Sequence, residues 1–111
     1  MMSKIANYVQ KGKAIDYKNS GSADIAYGDV ISLTTRIAVA TSNIAVGDTG
    51  AVEVEGVFDM PKATEEIALG AAVYWSAANK KITATSTGNV PAGWAIAAAA
   101  SADTRVLVKI G

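Results

Sequence analysis

From Gly50 to Lys62 the chain reads Gly-Ala-Val-Glu-Val-Glu-Gly-Val-Phe-Asp-Met-Pro-Lys, with Val52 and Val54 alternating with Glu53 and Glu55. A side-chain period of two belongs to a strand with one buried face and one wet face. Gly56 breaks the alternation and should send Val57 and Phe58 into the core through a bulge or a close backbone approach. Pro61 has no N–H to donate and ends the ladder. The stretch reads as the central strand of a small all-β domain. It contains no catalytic group.

The rest of the chain repeats this pattern in short pieces. Lys13–Tyr17 alternates, with Ile15 and Tyr17 as its buried face, and a polar turn cluster follows at Lys18–Ser22. Val30–Leu33 is an apolar run, and Arg36–Ala40 is a strand burying Ile37 and Val39. Ala71–Trp75 and Lys81–Thr85 flank Ser76–Lys80 as a hairpin. The alanine-rich run after Gly93 has helical propensity, but it is short for a helix. It reads better as a strand of small side chains where another backbone or subunit comes close. Thr104–Ile110 closes the chain as a strand with Val106, Val108 and Ile110 inward. Lys62–Leu69 forms either a helical turn capped by Thr64 or a surface loop. The expectation is one all-β domain over 13–111, a barrel or sandwich of about seven or eight short strands. Residues 1–12 precede it as an extended arm, either frayed or ordered against a neighbouring subunit.

Ile-Ala-apolar-Gly occurs at Ile25–Gly28, Ile44–Gly47 and Ile67–Gly70, with a looser copy at Val90–Gly93. Each copy ends in a Gly that can take positive φ and turn the chain back into a sheet. A spacing of about twenty residues suits a solenoid. The intervening residues do not match, so the motif reads as recurring turn chemistry.

Composition removes several functions. The chain has no Cys and no His, which excludes disulfides, thiol nucleophiles, histidine-based triads and the usual zinc, copper and haem ligand sets. Ten basic residues cancel ten acidic ones, so there is no basic footprint for nucleic acid. Half of the residues are apolar and only 18% are charged; that surplus of small apolar surface points to self-association or docking on a partner. The N-terminus lacks the apolar run of a signal peptide, and no stretch is long enough for a membrane span. The expected location is the host cytosol or something assembled there.

Three constellations carry a chemical reading, each with a plainer one beside it. Gly88–Gly93 has the glycine spacing of a phosphate-binding loop, but Trp94 and Ala95 stand where that motif needs Lys and Ser or Thr. Glu53 and Glu55, roughly 7 Å apart on one strand face, suit acid–base work or Ca²⁺ with Asp48 or Asp59. Charges on a wet strand face are far more often solvated, or partners for Arg105 and Lys109 across the sheet, and that is the preferred reading. Tyr74, Trp75 and Trp94 make a ligand platform, a core or an interface; because Tyr74 and Trp75 face opposite sides of their strand, at least one belongs to an interface or lies under a cover. The residues therefore assign no catalytic group, cofactor or metal.

Taken in order, Asn7–Gly12, Gly56–Ala63, Gly70–Trp75, Gly93–Ala95 with Ala98–Thr104, and Arg105–Ile110 resemble the DUF2190 family of tailed bacteriophages and prophages. The Gly-Val-Phe-Asp-x-Pro-Lys core with the Val-Tyr-Trp strand is the most specific part. The resemblance implies a capsid cement (decoration) protein, a non-enzymatic β domain on the outer face of the virion capsid. It would bind the major capsid protein lattice and stabilise the expanded head. The balanced charge and the lack of a spanning stretch leave no nucleic acid and no membrane among the expected partners. Capsid symmetry favours a homo-oligomeric trimer, with a dimer next. The expected contacts are Ile5, Tyr8 and Val9 of the arm, the loop from Asp59, Met60 and Pro61 onward to Leu69, Trp75 and Trp94. Members of that family are also labelled as recombinases resembling RecA and RadA, so a recombination or DNA-processing accessory protein is the competing reading. The missing phosphate-binding lysine and the short chain argue against it.

Overall fold

The computed structural model describes residues 6 and 8–111. Among these residues, nine strands form in chain order: β1 (Ala14–Lys18), β2 (Val30–Ser32), β3 (Ile37–Ala40), β4 (Thr49–Glu53), β5 (Gly56–Pro61), β6 (Ala72–Ser76), β7 (Lys81–Thr83), β8 (Val90–Ala95) and β9 (Arg105–Ile110). There is no helix among the described residues. Every strand pairing is antiparallel. The strands make two sheets, in the orders β1-β4-β3-β2 and β5-β9-β8-β6-β7. A single parallel bridge, Lys62 to Ile82, draws the end of β5 toward β7. It curls the second sheet without closing it, so the architecture is a sandwich and not a barrel.

Gly50–Lys62 is not one central strand. It breaks at Val54–Glu55, and its halves enter different sheets as β4 and β5. Gly56, at φ +133°, marks the corner where the chain changes sheet, a usual site for a bend between packed sheets. β5 lies at the end of its strand order, where Pro61 costs no ladder bond. Past the corner, Phe58 packs against the core, while Val57 points outward and is exposed. Dividing this stretch in two accounts for the strand beyond the expected seven or eight.

Clean alternation is realised in β9, where Val106, Val108 and Ile110 are buried between Arg105, Leu107 and Lys109. β3 departs from it. Ile37 and Val39 are buried as expected, but Ala38 and Ala40 are buried as well, all four at most 8% exposed. Ile37 and Val39 join the larger core with residues of the second sheet. Ala38 and Ala40 join a smaller core with Ile31, Ile44 and Val52.

The two sheets follow one plan. The order β1-β4-β3-β2 matches β5-β9-β8-β6, and β7 with its connecting hairpin is an addition to the second unit. Val52 lies between Ile15 and Ala40, and Val108 lies between Phe58 and Ala95 in the same way. Each unit also has a corner held by an antiparallel bridge, Ile25 to Ile44 and Ile67 to Ala99. After each bridge residue the chain makes a four-residue turn, closed by N–H donation from Asp29 to Ala26, Asp48 to Ala45, Ala71 to Ala68 and Asp103 to Ala100 at 2.9–3.1 Å. Gly28, Gly47 and Gly70 take positive φ in three of these turns, whereas Ala102 in the fourth does not. The fourth copy is thus Ala99–Asp103. Val90–Gly93 is strand, and the alanine run leaves strand after Ala95.

The loop after Pro61 contains no helical turn. Lys62 is buried, and its Nζ donates to the carbonyls of Ala63 and Glu65 at 2.8 and 2.6 Å. Asn19 follows β1 as Lys62 follows β5. It too is buried, with Nδ2 donating to the carbonyls of Ala23 and Ile44. Both units therefore satisfy the carbonyls of the same crossing with a long polar side chain, which removes the cost of burying them unpaired.

The close backbone approach occurs at Gly93, where a Cβ would sit 2.0 Å from the Lys109 carbonyl oxygen, at φ +137°. Gly93→Ala is therefore expected to lower stability by about 2–4 kcal/mol, read by urea unfolding. Gly12→Ala, with nothing within 4 Å of the added Cβ, should shift it by less than about 0.5 kcal/mol.

Candidate functional site

The structure separates the expected contact residues into three groups. Met60 and Trp75 fill the larger core, at 2% and 6% exposed. Tyr74, on the opposite side of β6 from Trp75, is half-buried. Tyr8 and Val9 stand free at 82% and 84% exposed, and Trp94 is 43% exposed. Asp59 and Pro61 lie on β5, while Ile5 lies outside the described residues.

Trp94 belongs to a larger surface. On the face of the second sheet turned away from its core, Lys109 pairs with Val57 on one side and Trp94 on the other. Trp94 in turn pairs with Ala72. Along the same face, Leu107 opposes Asp59 and Arg105 opposes Pro61. Val57, Trp94 and Leu107 are all exposed, giving an apolar patch across three adjacent strands. Its margin is fixed by Arg105, whose Nε lies 3.1 Å from Asp59 Oδ1 and whose guanidinium also donates to the Asp59 carbonyl at 2.8 Å. Both side chains are more than half exposed, so the pair orients the rim more than it stabilises the fold.

Further apolar side chains project from the turns. Tyr27, Val46 and Leu69 occupy the third position of the Ile-Ala-x-Gly motif and are exposed. Leu69 falls within the expected contact loop; Tyr27, Val46, Val57 and Leu107 were not singled out. The motif carries the signal for the turn residues: in each copy the first residue packs in or against a core while the third is exposed. Tyr27 also borders an open cleft of about 370 Å³ between the two units, lined by Val30, Val39, Glu53, Phe58 and Arg105 among others.

The carboxylates do not form the paired site considered from sequence. β4 ends at Glu53, so Glu53 and Glu55 are not neighbours on one strand face. Glu53 borders the cleft, and Arg105 pairs with Asp59 instead. Among the described residues, no group of three or more Asp or Glu side chains comes together to hold a metal ion. The Gly88–Gly93 spacing spans a turn and the strand β8, whose backbone pairs with β6. It lacks the loop-to-helix geometry that cradles phosphate. What the geometry offers is surface: an apolar sheet face with a charged rim, three apolar turn tips and the exposed Tyr8 and Val9. Such features serve contact with another macromolecule.

The two tryptophans separate core from surface. Trp75→Ala should cost about 3–5 kcal/mol in chemical denaturation, whereas Trp94→Ala should cost less than about 1 kcal/mol.

A protein-family model described as phage cement protein matches residues 9–110. No curated protein and no solved structure matches the chain.

Proposed function

The chain belongs to the phage cement protein family, and from that premise we propose that it binds the outer surface of the major capsid protein lattice and clamps the expanded head by non-covalent bridging. The family match across nearly the whole folded region carries this reading. The structure supports it with surfaces suited to adhesion. A packaged head is strained outward, and a protein bridging adjacent capsid subunits resists that strain by the area it buries on both. Buried apolar surface contributes roughly 25 cal/mol per Å² before the costs of association. Each contact needs only modest strength, because many copies bind one lattice together.

In this reading the protein is not an enzyme and carries no cofactor. It acts as a symmetric homo-oligomer, a trimer ahead of a dimer, at a local symmetry axis of the shell. The arm residues Tyr8 and Val9, the β5 residues Asp59 and Pro61, and Trp94 supply contacts to the capsid or to neighbouring copies.

Purified protein should co-sediment with expanded heads of its own phage and raise the temperature at which they rupture. Failure to bind those heads would end the cement reading, and DNA retardation with ATP hydrolysis would put a recombination factor in its place. Deleting residues 2–9 should weaken head binding while moving the isolated protein's Tm by less than about 2 °C. A large drop in Tm would instead make the arm part of the fold.

A further inference from the structure

The two units of the chain are stacked in one direction. The first sheet presents Ile37 and Val39 to the core of the second unit. The opposite face of the first sheet gathers Ile31, Ala38, Ala40, Ile44 and Val52, packed, among the described residues, with residues of its own unit. An outer face of unit one therefore covers the inner face of unit two. The inner face of unit one and the outer face of unit two are left at the two ends.

Matching positions show the difference in cover. Met60, Ile67 and Ile110 of the second unit are buried, at 1–2% exposed. Their counterparts in the first unit, Tyr17, Ile25 and Val54, are only half-buried. At the other end, Trp94 pairs with Lys109 as Val39 pairs with Glu53. Val39 is a residue that the first unit presses against the second, whereas Trp94 is exposed beside Val57 and Leu107. One end thus lacks the cover that its twin has, and the other carries an apolar residue where its twin provides that cover.

We propose that a second copy of the chain supplies the missing partner: the outer face of unit two, centred on Trp94, docks on the inner face of unit one of the next copy, around Tyr17 and Val54. The stacking already made within the chain is then repeated between chains. The two surfaces are different, so the contact is head-to-tail. It closes into a ring where the rotation permits and cannot form a two-fold dimer. This deepens the self-association in the cement reading and can be tested without capsids, so failure of either leaves the other separately measurable.

The absence of native Cys makes disulfide trapping direct. Trp94→Cys and Tyr17→Cys proteins are oxidised singly and as a mixture, with Ile15→Cys as a second partner in case Tyr17→Cys fails to fold by circular dichroism. A disulfide dimer containing one of each variant, with Trp94→Cys alone remaining monomeric, is the expected result. Trp94→Cys linking to itself as readily as to its partner, or no cross-link with either partner, overturns the proposal. In parallel, sedimentation of the unmodified chain at about 1 mM, where a millimolar Kd is already half satisfied, should show association that Trp94→Glu lowers at least tenfold. A monomer under those conditions, or association unchanged by Trp94→Glu, also overturns it.

Discussion

The fold depends on β3 being buried from both sides. An isolated four-stranded sheet of this size has too little apolar area to offset the entropy of ordering it. Here Ala38 and Ala40 close the core of the first unit while Ile37 and Val39 complete the core of the second. Four consecutive residues thus tie two small cores into one structure. Their sizes follow from their positions. The small Ala side chains face a sheet already crowded by Ile31, Ile44 and Val52, and the branched side chains reach across to the other sheet. Strands buried on both faces read as continuous apolar runs, which is why alternation alone assigned only half of Ile37–Ala40 to a core.

Strand positions and inward faces were legible wherever one face meets water. β1, β9 and the β6–β7 hairpin show this, because solvent imposes a visible period of two. Sheet membership was not legible in the same way. Val52 and Val54 continue smoothly toward Val57 and Phe58, and only Gly56 signals that the chain leaves one sheet for another. A glycine at a bulge and a glycine at a corner look alike in sequence. The placement of Trp75 and Trp94 was equally hidden. Opposite facing within Tyr74–Trp75 follows from strand geometry, but which of the two turns inward is decided by which face the other unit covers.

The repeat was visible and its period was misleading. Ile25, Ile44 and Ile67 lie about twenty residues apart, which suggests one small unit recurring along the chain. The true period is twice as long, because each four-stranded unit uses the turn twice, once on each side of its bridge. The β7 hairpin then inserts extra residues in the second unit and shifts the fourth turn out of step. In that turn Ala99 replaces Ile and Ala102 replaces Gly, so the motif is lost while the hydrogen bond from Asp103 to Ala100 remains. Asp103 Oδ2 also accepts from the Ala100 N–H at 2.9 Å, as Asp29 does from Ala26 in the first turn. Asp supplies this local bond readily, and Ala102 does not take the positive φ that calls for glycine.

The asymmetry between the units connects the fold to adhesion. In the second unit the added hairpin brings Ile82 into the larger core, where it is fully buried, and the first unit covers the rest. Among the described residues the first unit has neither cover, and the second carries Val57, Trp94 and Leu107 exposed on its outer face. A chain selected to stand alone would place polar side chains at both ends, as terminal repeats of stacked proteins do. Retaining apolar ends leaves a free monomer with exposed surface that lowers its solubility. The same surface becomes useful once every copy is held among others on a shell. There, effective concentration replaces intrinsic affinity, and a rigid β body transmits load between its contacts with little change of shape. The ends left uncovered by the fold are therefore the surfaces that the proposed docking between copies would use.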